Sequence, residues 1–221
     1  MLQTQTDVLN FLNQEMPGEW PKKHITDLTM CLPHGSKFYR TPGYTECVHN
    51  TYGEIERLFQ VIHTGQLENV CDPFSGTGTI SKYLTENYKI NVVTNDICDK
   101  HGNSDYNENA LDDSFFQQFG QPFDAIITSP WFSVLDLAIP ILLRHAKYFV
   151  AVHVPAYYVT NAHDRRVKYI KRLIRDGRVH IVGNLPLAVI GWKCIWLMIF
   201  KDRHIGKRYV KKDLRHVKMY L

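Results

Sequence analysis

The chain has 221 residues, 44% of them hydrophobic, which is enough to build a core and excludes a wholly disordered protein. This length is typical of one α/β domain. The five cysteines are scattered and form no Cys-x-x-Cys pair, so we expect no zinc site and no other bound metal.

The N-terminal residues are polar and unlike a secretory signal. The longest apolar run near the other end, IWLMIF, is too short to span a bilayer. We therefore expect an intracellular protein, in the cytoplasm or nucleus, with no membrane partner. The sequence predicts no oligomeric state.

Charge is distributed unevenly along the chain. From Arg144 onward there are 18 basic and 4 acidic residues, a net charge of +14. Residues 1–143 carry 8 basic and 18 acidic residues, a net charge of −10. Such a split predicts that the C-terminal half meets a polyanion, and a solvated basic surface without a partner is the alternative.

Helices and strands are predicted to alternate along most of the chain. In chain order they are a short helix at Asp7–Asn13, a helix at Val48–His63, a strand at Asn69–Pro73, a helix at Thr79–Tyr88, strands at Ile90–Asp96 and Phe123–Pro130, a helix at Leu135–His145, a strand at Lys147–Val154, a basic helix at His163–Asp176, and strands in VHIVGNL and CIWLMIFK. The alternation predicts a mostly parallel, doubly wound α/β sheet with helices on both faces, closed by a C-terminal β-hairpin.

The ends of the chain differ from this pattern. Pro17, Pro21 and Pro33 interrupt the first 40 residues, which we expect to be irregular apart from the short helix. We divide the chain into an irregular extension at residues 1–40, one α/β domain at 41–204 and a basic tail at 205–221.

The most informative segment is VCDPFSGTGTISKYL. A strand ends there at Asp72, a turn contains Gly76 and Gly78, and a helix starts near Thr79. Glycines allow positive φ and close approach of a ligand, and the free N–H groups of a helix start suit a carboxylate. No Lys-Ser or Lys-Thr pair follows the second glycine, which excludes a P-loop, and Ser81 stands where a dinucleotide loop has its third glycine.

An acidic residue also follows the second predicted strand. Asp96, in TNDI, lies 18 residues beyond Gly78, where a carboxylate can accept both ribose hydroxyls of a nucleoside. Ile97 beside it can pack on the base. Further along, Asp105 and Tyr106 place a second acidic residue next to an aromatic one in the following loop.

The segment DPFSGTGT resembles the first motif of class I S-adenosylmethionine-dependent methyltransferases, particularly those that methylate exocyclic amino groups of nucleic acids. The resemblance implies S-adenosylmethionine as cofactor and an acidic residue near Asp105 that accepts from the adenine amino group, with Asp112 and Asp113 as alternatives. Thr41 and Pro42 match a Thr-Pro that precedes the first helix in many of these enzymes. The implied cofactor-binding residues are Thr41, Pro42, Asp72, Pro73, Phe74, Ser75, Gly76, Gly78, Thr79, Asp96, Ile97, Asp105 and Tyr106.

The sequence TSPWF, at the end of the third predicted strand, is similar to the (Asp/Asn/Ser)-Pro-Pro-(Tyr/Phe) motif of amino methyltransferases. An aromatic amine is a poor nucleophile because its lone pair is delocalised, so the Ser129 side chain and the Pro130 carbonyl would hold its hydrogens. Phe132 would stack on the base and face the developing positive charge. Trp131 stands where the family has a second proline, either as another stacking surface or as the sign of a degenerate site. Ser129, Pro130, Trp131 and Phe132 are the predicted catalytic residues.

Aromatic and basic residues follow the fourth predicted strand. Pro155, Tyr157 and Tyr158 are candidate walls of a base pocket, although core packing explains them equally well. The basic helix after them is expected to contact phosphates, with a solvated helix as the alternative. The predicted nucleic-acid-binding residues are Tyr157, Tyr158, Arg165, Arg166, Lys168, Arg172 and Arg175.

The resemblance covers roughly Thr41 to Phe200 and implies methyl transfer to adenine N6 or cytosine N4 in DNA or RNA. Similar proteins occur on mobile elements and phages, which would place this chain in a host cytoplasm. Two other functions stay open. One is a catalytically inactive nucleic-acid-binding protein or partner subunit, and the other is a methyltransferase for protein glutamine or a small molecule.

Overall fold

The computed structural model describes residues 2–32, 52–98, 102–160, 164–183 and 194–211. Within these ranges the helices are α1 (Gln5–Glu15), α2 (Lys22–Met30), α3 (Tyr52–Val61), α4 (Thr79–Tyr88), α5 (Asp113–Gln117), α6 (Leu135–His145), α7 (Tyr157–Thr160), α8 (Asp164–Arg175) and α9 (Arg203–Tyr209). The strands are β1 (Asn69–Asp72), β2 (Asn91–Thr94), β3 (Phe123–Thr128), β4 (Ala146–Pro155), β5 (Val179–Val182) and β6 (Cys194–Phe200). A 3₁₀ turn, Phe132–Val134, directly precedes α6.

The described strands form one sheet in the order β2-β1-β3-β4-β6-β5. β2, β1, β3 and β4 pair in parallel, whereas β6 pairs antiparallel with both β4 and β5. The prediction of a mostly parallel sheet that ends in an antiparallel pair is confirmed. From β1 the chain winds to β2 on one side and then to β3 on the other, and open α/β sheets bind ligands at such a switch point.

Apolar side chains cover both faces of the sheet, so the central strand β3 is buried at every position. On one face the core takes residues from α1, α2, α5, α6, α7 and α8. On the other face it takes residues from α3, α4 and α9. This arrangement confirms the prediction of a doubly wound α/β fold.

The short helix predicted at Asp7–Asn13 is confirmed as α1, but the prediction that the rest of the first 40 residues is irregular is wrong for Lys22–Met30, which form α2. Val8 and Leu12 of α1 and Ile25 and Leu28 of α2 are buried. Their spacing of three or four residues gives each helix an apolar stripe, and α1 packs against both α2 and α6. The N-terminal helices are therefore part of the core that supports the sheet.

The bounds of the other predicted helices and strands agree with the structure to within a few residues, and the structure adds helices that were not predicted. The helix predicted from Val48 begins at Tyr52 in the described part, because residues 48–51 lie outside it. α5 and α7 were not predicted. α9 crosses the predicted boundary at residue 204, and Tyr209 within it is buried, so the start of the basic tail packs on the sheet. The division into domains otherwise stays a prediction.

Candidate active site at the carboxyl edge of the sheet

Three predicted site residues follow the carboxyl ends of neighbouring strands. Asp72 is the last residue of β1, Asp96 lies two residues beyond β2, and Ser129 directly follows β3. Because the strand order is β2-β1-β3 and neighbouring strands lie about 4.8 Å apart, the three residues share one edge with Asp72 in the middle. The sequence therefore places its candidate site at the switch point of the sheet.

The turn after β1 has a left-handed backbone at both glycines, with φ of 51° at Gly76 and 73° at Gly78. The Gly78 N–H donates to the Ser75 carbonyl at 2.8 Å and closes the turn. α4 begins at Thr79, and its N-cap glycine has no side chain that could bond the N–H groups of the first turn. A helix start of this kind suits an anionic group.

A second loop packs against the glycine-rich turn. The Asn103 side chain donates to the Thr77 carbonyl at 3.2 Å, and the hydroxyls of Ser75 and Ser104 are 2.8 Å apart. A Cβ at Gly78 would lie 3.3 Å from the Asn103 Cβ. The left-handed backbone therefore favours glycine at this position, and a side chain here would also press on Asn103.

The Asp72 side chain is fully buried. Thr128 Oγ1 donates to Asp72 Oδ1 at 2.7 Å and accepts from the Phe74 N–H at 3.2 Å. Asp72 Oδ2 has no hydrogen-bond partner among the described residues. Burial raises the pKa of the carboxyl to about 7, with the nearby Asp96 charge adding to the rise and the Thr128 hydrogen bond opposing it.

Two buried polar residues of the site were missed by sequence reasoning. Thr128 joins the glycine-rich turn to the strand that leads into Ser129. The Asn95 side-chain NH₂ donates to the Pro73 carbonyl at 3.0 Å and to the Glu108 carbonyl at 3.1 Å. Its side-chain oxygen accepts from the Glu108 N–H at 2.8 Å. The available signal was a polar residue at the end of an apolar strand, which by itself does not reveal the partner.

Asp96 is nearly buried and anchored by backbone N–H groups. Its Oδ2 accepts from Gly76 at 3.0 Å and its Oδ1 from Cys98 at 2.9 Å. The first bond ties the end of β2 to the glycine-rich turn. The contact of Asp96 with the ribose hydroxyls stays a prediction. Ile97 lies half-buried in the turn beside it.

Asp105 and Tyr106 hold their loop against β2. Asp105 Oδ2 accepts from the N–H of Thr94 at 2.9 Å and from its hydroxyl at 2.8 Å. The Tyr106 ring packs edge-on against Phe115 and Phe119. These contacts give both residues a structural use, and their contact with an adenine stays a prediction.

The two alternative acidic residues have other partners. Asp112 caps α5 by accepting from the Ser114 N–H at 3.2 Å. Asp113 pairs with His145 at 2.6 Å and with Arg144 at 3.4 Å, at the far end of α6. Asp112 thus caps a helix and Asp113 joins two helices, which favours neither for the adenine contact.

The predicted catalytic residues Ser129–Phe132 connect β3 to the 3₁₀ turn. Ser129 Oγ is buried and has no hydrogen-bond partner within the described part of the chain. Pro130 is buried, and Trp131 and Phe132 are half-buried against the core on the α6 face. The turn is closed by the Val134 N–H, which donates to the Trp131 carbonyl at 3.1 Å. The structure therefore brings a buried hydroxyl and two aromatic rings together at this edge.

The structure corrects the roles predicted for Tyr158 and Arg166. Tyr158 is buried, and its hydroxyl donates to Asp136 Oδ1 at 3.0 Å. Arg166 binds the same carboxylate through two N–H groups. A phosphate would have to compete with Asp136 for this guanidinium, so neither side chain is placed to contact nucleic acid. Tyr157 is half-buried and stays a candidate for the pocket wall.

The helix α8 presents a basic outer face to solvent. Its inner face buries Tyr169, Ile170 and Leu173, whereas Lys168, Lys171, Arg172 and Arg175 are exposed. α8 leads from the carboxyl end of β4 to the amino end of β5, so Lys168 lies nearer the candidate site than Arg175 does.

Some predicted residues lie outside what the structure describes. Thr41 and Pro42 fall in residues 33–51, and the Arg165 side chain is likewise not described although its backbone belongs to α8. In the described ranges, no group of three or more His, Cys, Asp or Glu side chains is arranged to hold a metal ion. No helix in those ranges combines the length and apolar character that a membrane span requires.

Comparisons with known proteins match the fold alone. No family model and no curated protein matches the chain. A type I restriction-modification methyltransferase subunit from Streptococcus thermophilus is similar, with 14% identity, 72% of this chain and 44% of that chain covered, and a TM-score of 0.51. An rRNA methylase from Streptococcus thermophilus has 16% identity and a TM-score of 0.46, and the match covers 67% of this chain and 94% of that chain. A SAM-dependent methyltransferase from Archaeoglobus fulgidus has 14% identity and a TM-score of 0.47, and the match covers 75% of this chain and 98% of that chain.

The chain thus has the Rossmann-like α/β fold of class I methyltransferases, with its strand-end crevice at the switch point. It spans less than half the length of the restriction-modification subunit. At such identities the fold is shared, and the chemistry has to be argued from this chain's own residues.

Proposed function

We propose that the chain transfers a methyl group from S-adenosylmethionine to an exocyclic amino group of a nucleobase, adenine N6 or cytosine N4, in DNA or RNA. The observation that carries the proposal is the alignment of Asp96, Asp72 and Ser129 at the ends of three adjacent strands. In this order they offer a nucleoside contact, a contact for the amino-acid part of a cofactor, and an acceptor for an amine.

The residues present fit S-adenosylmethionine, which when bound supplies a methyl group on a positively charged sulfur. The unpartnered Oδ2 of Asp72 is a buried acceptor for an ammonium group. The uncapped start of α4 at Thr79 suits a carboxylate, and Gly78 allows close approach. The Asp96 carboxylate, held at the end of β2 by the N–H groups of Gly76 and Cys98, would accept from the ribose hydroxyls.

Ser129 and the residues after it would hold the target amine. The buried Ser129 hydroxyl has no hydrogen-bond partner among the described residues, so it would lose no such bond on accepting from an amino group. The Pro130 carbonyl would take the second hydrogen, which localises the nitrogen lone pair. Phe132 would stack on the base. A hydroxyl accepts less strongly than a carboxylate, so this chain relies more on placement of the base.

The basic face of α8 supports a polymeric nucleic acid over a small acceptor. Lys168 and Arg172 are exposed one helical turn apart, and the Arg172 guanidinium lies 5.5 Å from the centroid of the Tyr169 ring. A helix of 12 residues is about 18 Å long, enough to contact several phosphates along a backbone. In duplex substrates the target base would be flipped out of the stack to reach the Ser129 turn.

Labelled methyl transfer tests this proposal. The protein is incubated with methyl-labelled S-adenosylmethionine, unmodified plasmid DNA and total RNA, and the nucleosides are analysed by mass spectrometry. We expect label in N6-methyladenine or N4-methylcytosine, and a fall of roughly 10²-fold in Ser129→Ala. Ser133→Ala, an exposed serine of the adjoining 3₁₀ turn, is the matched control and should keep wild-type activity.

Three outcomes would count against nucleobase methylation. Cofactor binding without label in any base would do so, as would activity unchanged by Ser129→Ala. Label on glutamine in added protein would move the acceptor to an amide.

Trp131 favours a second candidate, a nucleic-acid-binding protein without catalytic activity or a partner subunit of an active enzyme. It replaces the second proline of the similar motif and packs against the core. Calorimetry separates the two candidates. A chain that binds nucleic acid but shows no heat with S-adenosylmethionine would support the second.

A further inference from the structure

A buried carboxylate outside the predicted site connects four helices. Asp136, in the first turn of α6, is 1% exposed. Its Oδ2 is 3.1 Å from His24 Nε2, and its Oδ1 accepts from Tyr158 at 3.0 Å and from Arg166 Nε at 2.6 Å. The partners come from α7 and α8, which follow one another in the chain, and from α2, which lies more than 100 residues before them.

This cluster stabilises the ionised form of Asp136. Burial opposes ionisation, but the hydrogen bonds from His24 and Arg166 outweigh it and lower the pKa of Asp136 to about 2. The Arg166 guanidinium also lies 4.2 Å from the centroid of the Tyr158 ring. Trp20 stacks on His24 with ring centroids 5.2 Å apart, which extends the cluster to the loop before α2.

The position of this cluster relates it to the acceptor side of the site. α6 directly follows the 3₁₀ turn, so the first turn of α6 sets where Trp131 and Phe132 lie. α2 contacts that 3₁₀ turn. Tyr157 adjoins Tyr158, and the basic face of α8 begins beside Arg166.

We propose that Asp136 is a positioning residue that fixes the Trp131–Phe132 turn, Tyr157 and the start of α8 relative to one another. The proposal rests on the proposed function for the meaning of these three parts, but the placement itself can be measured without activity. Asp136 touches neither cofactor nor acceptor in this account and acts through the turn that follows β3.

Fluorine NMR of the whole chain labelled with 5-fluorotryptophan tests the placement. The sequence has four tryptophans, and Trp131→Phe assigns the resonance of Trp131. In Asp136→Asn we expect the Trp131 resonance to shift or broaden while that of Trp196, buried in β6, stays unchanged. Asp113→Asn is the matched control, because it removes the ion pairs at the opposite end of the same helix.

A milder variant keeps the test decisive if Asp136→Asn fails to fold with Arg166 left buried. Tyr158→Phe removes one hydrogen bond and leaves the ion pair in place, and we expect a smaller change of the same Trp131 resonance. A Trp131 resonance that stays in place in folded Asp136→Asn, or in Tyr158→Phe when only that variant folds, would overturn the proposal.

Kinetics then separate positioning from general destabilisation. With the DNA or RNA that the wild-type protein methylates, we expect turnover in Asp136→Asn, or in Tyr158→Phe if only that variant folds, to fall on the order of 10- to 100-fold. Affinity for S-adenosylmethionine by calorimetry should stay within about twofold. An equal loss of cofactor affinity would contradict a role confined to the acceptor side. If the wild-type chain methylates nothing, the proposed function fails while the NMR result still decides the placement.

Discussion

At the residue scale, the buried carboxyl groups of Asp136 and Asp72 have pKa values shifted in opposite directions. Asp136 has Arg166 and His24 as partners, so its pKa falls to about 2. Asp72 has one hydroxyl and an unpartnered oxygen, so burial raises its pKa to about 7. The first is a structural anion, whereas the second is held in an unfavourable environment at the proposed cofactor site, as groups in functional sites often are.

The Asp72 environment predicts a pH-dependent gain in stability for Asp72→Asn. The folded chain binds this proton more tightly than the unfolded chain, so ionisation costs stability as pH rises from about 4 to 7, by at most about 4 kcal/mol. An amide cannot ionise. We therefore expect Asp72→Asn to melt at a higher temperature than wild type at pH 8, with the gap narrowing as the pH falls and closing near pH 4, measured by thermal unfolding.

Asp202→Asn provides a control of opposite sign. Backbone hydrogen bonds from Ile205 lead the causes that lower the pKa of Asp202, which caps α9. That carboxylate stabilises the fold above its unfolded pKa, so its amide variant should melt lower at pH 8 and approach wild type as the pH falls below about 4. A gap for Asp72→Asn that does not change with pH would contradict the account.

Residue spacing predicted Asp72, Asp96 and Ser129 at strand ends, because motif spacing and strand periodicity are local properties. It did not predict Thr128 or Asn95, since their hydrogen bonds join strands and loops that are distant in sequence. It assigned Arg166 to phosphates, because a cationic side chain carries no sign in the sequence of the buried carboxylate that binds it.

At the element scale, α4 and α6 have the bounds that the sequence predicted, since a glycine N-cap marks the first and an apolar run marks the second. α2 was missed because Pro21 was interpreted as a breaker. Pro21 stands at the N-cap, where proline does not interrupt helical hydrogen bonds. Helices as short as α1 and α2 are marginal alone and depend on burial that only the tertiary fold shows.

The basic face of α8 is predicted to carry phosphate contacts. We expect the double variant Lys168→Gln/Arg172→Gln to bind a labelled 30-nucleotide duplex or single strand more weakly, with the slope of log affinity against log salt reduced by about 2. Lys82→Gln/Lys89→Gln is the control, because both lysines are exposed on or next to α4 on the opposite face of the sheet. Equal slopes for the two double variants would show that α8 is an ordinary solvated helix.

At the scale of the whole molecule, the charge split predicted a polyanion partner but not where it would bind. Among the described residues, the structure places basic side chains of the C-terminal half at both edges of the sheet. Lys168 lies on the side of the candidate site, whereas Lys201 and Arg203 follow the end of β6 at the opposite edge, where Arg203 adjoins Gly177. The distribution of charge along a sequence does not show which surface carries the charge until strand order and helix direction are known.

The proposed function depends on a cofactor crevice across the ends of β2, β1 and β3. Calorimetry with S-adenosylmethionine probes this crevice in wild type, in Asp96→Asn and in Asp112→Asn, whose carboxylate caps α5. We expect one binding site per chain, a dissociation constant raised at least about tenfold in Asp96→Asn, equivalent to about 1.4 kcal/mol, and no change in Asp112→Asn. No binding by the folded wild-type chain, or equal affinity in Asp96→Asn, would contradict it.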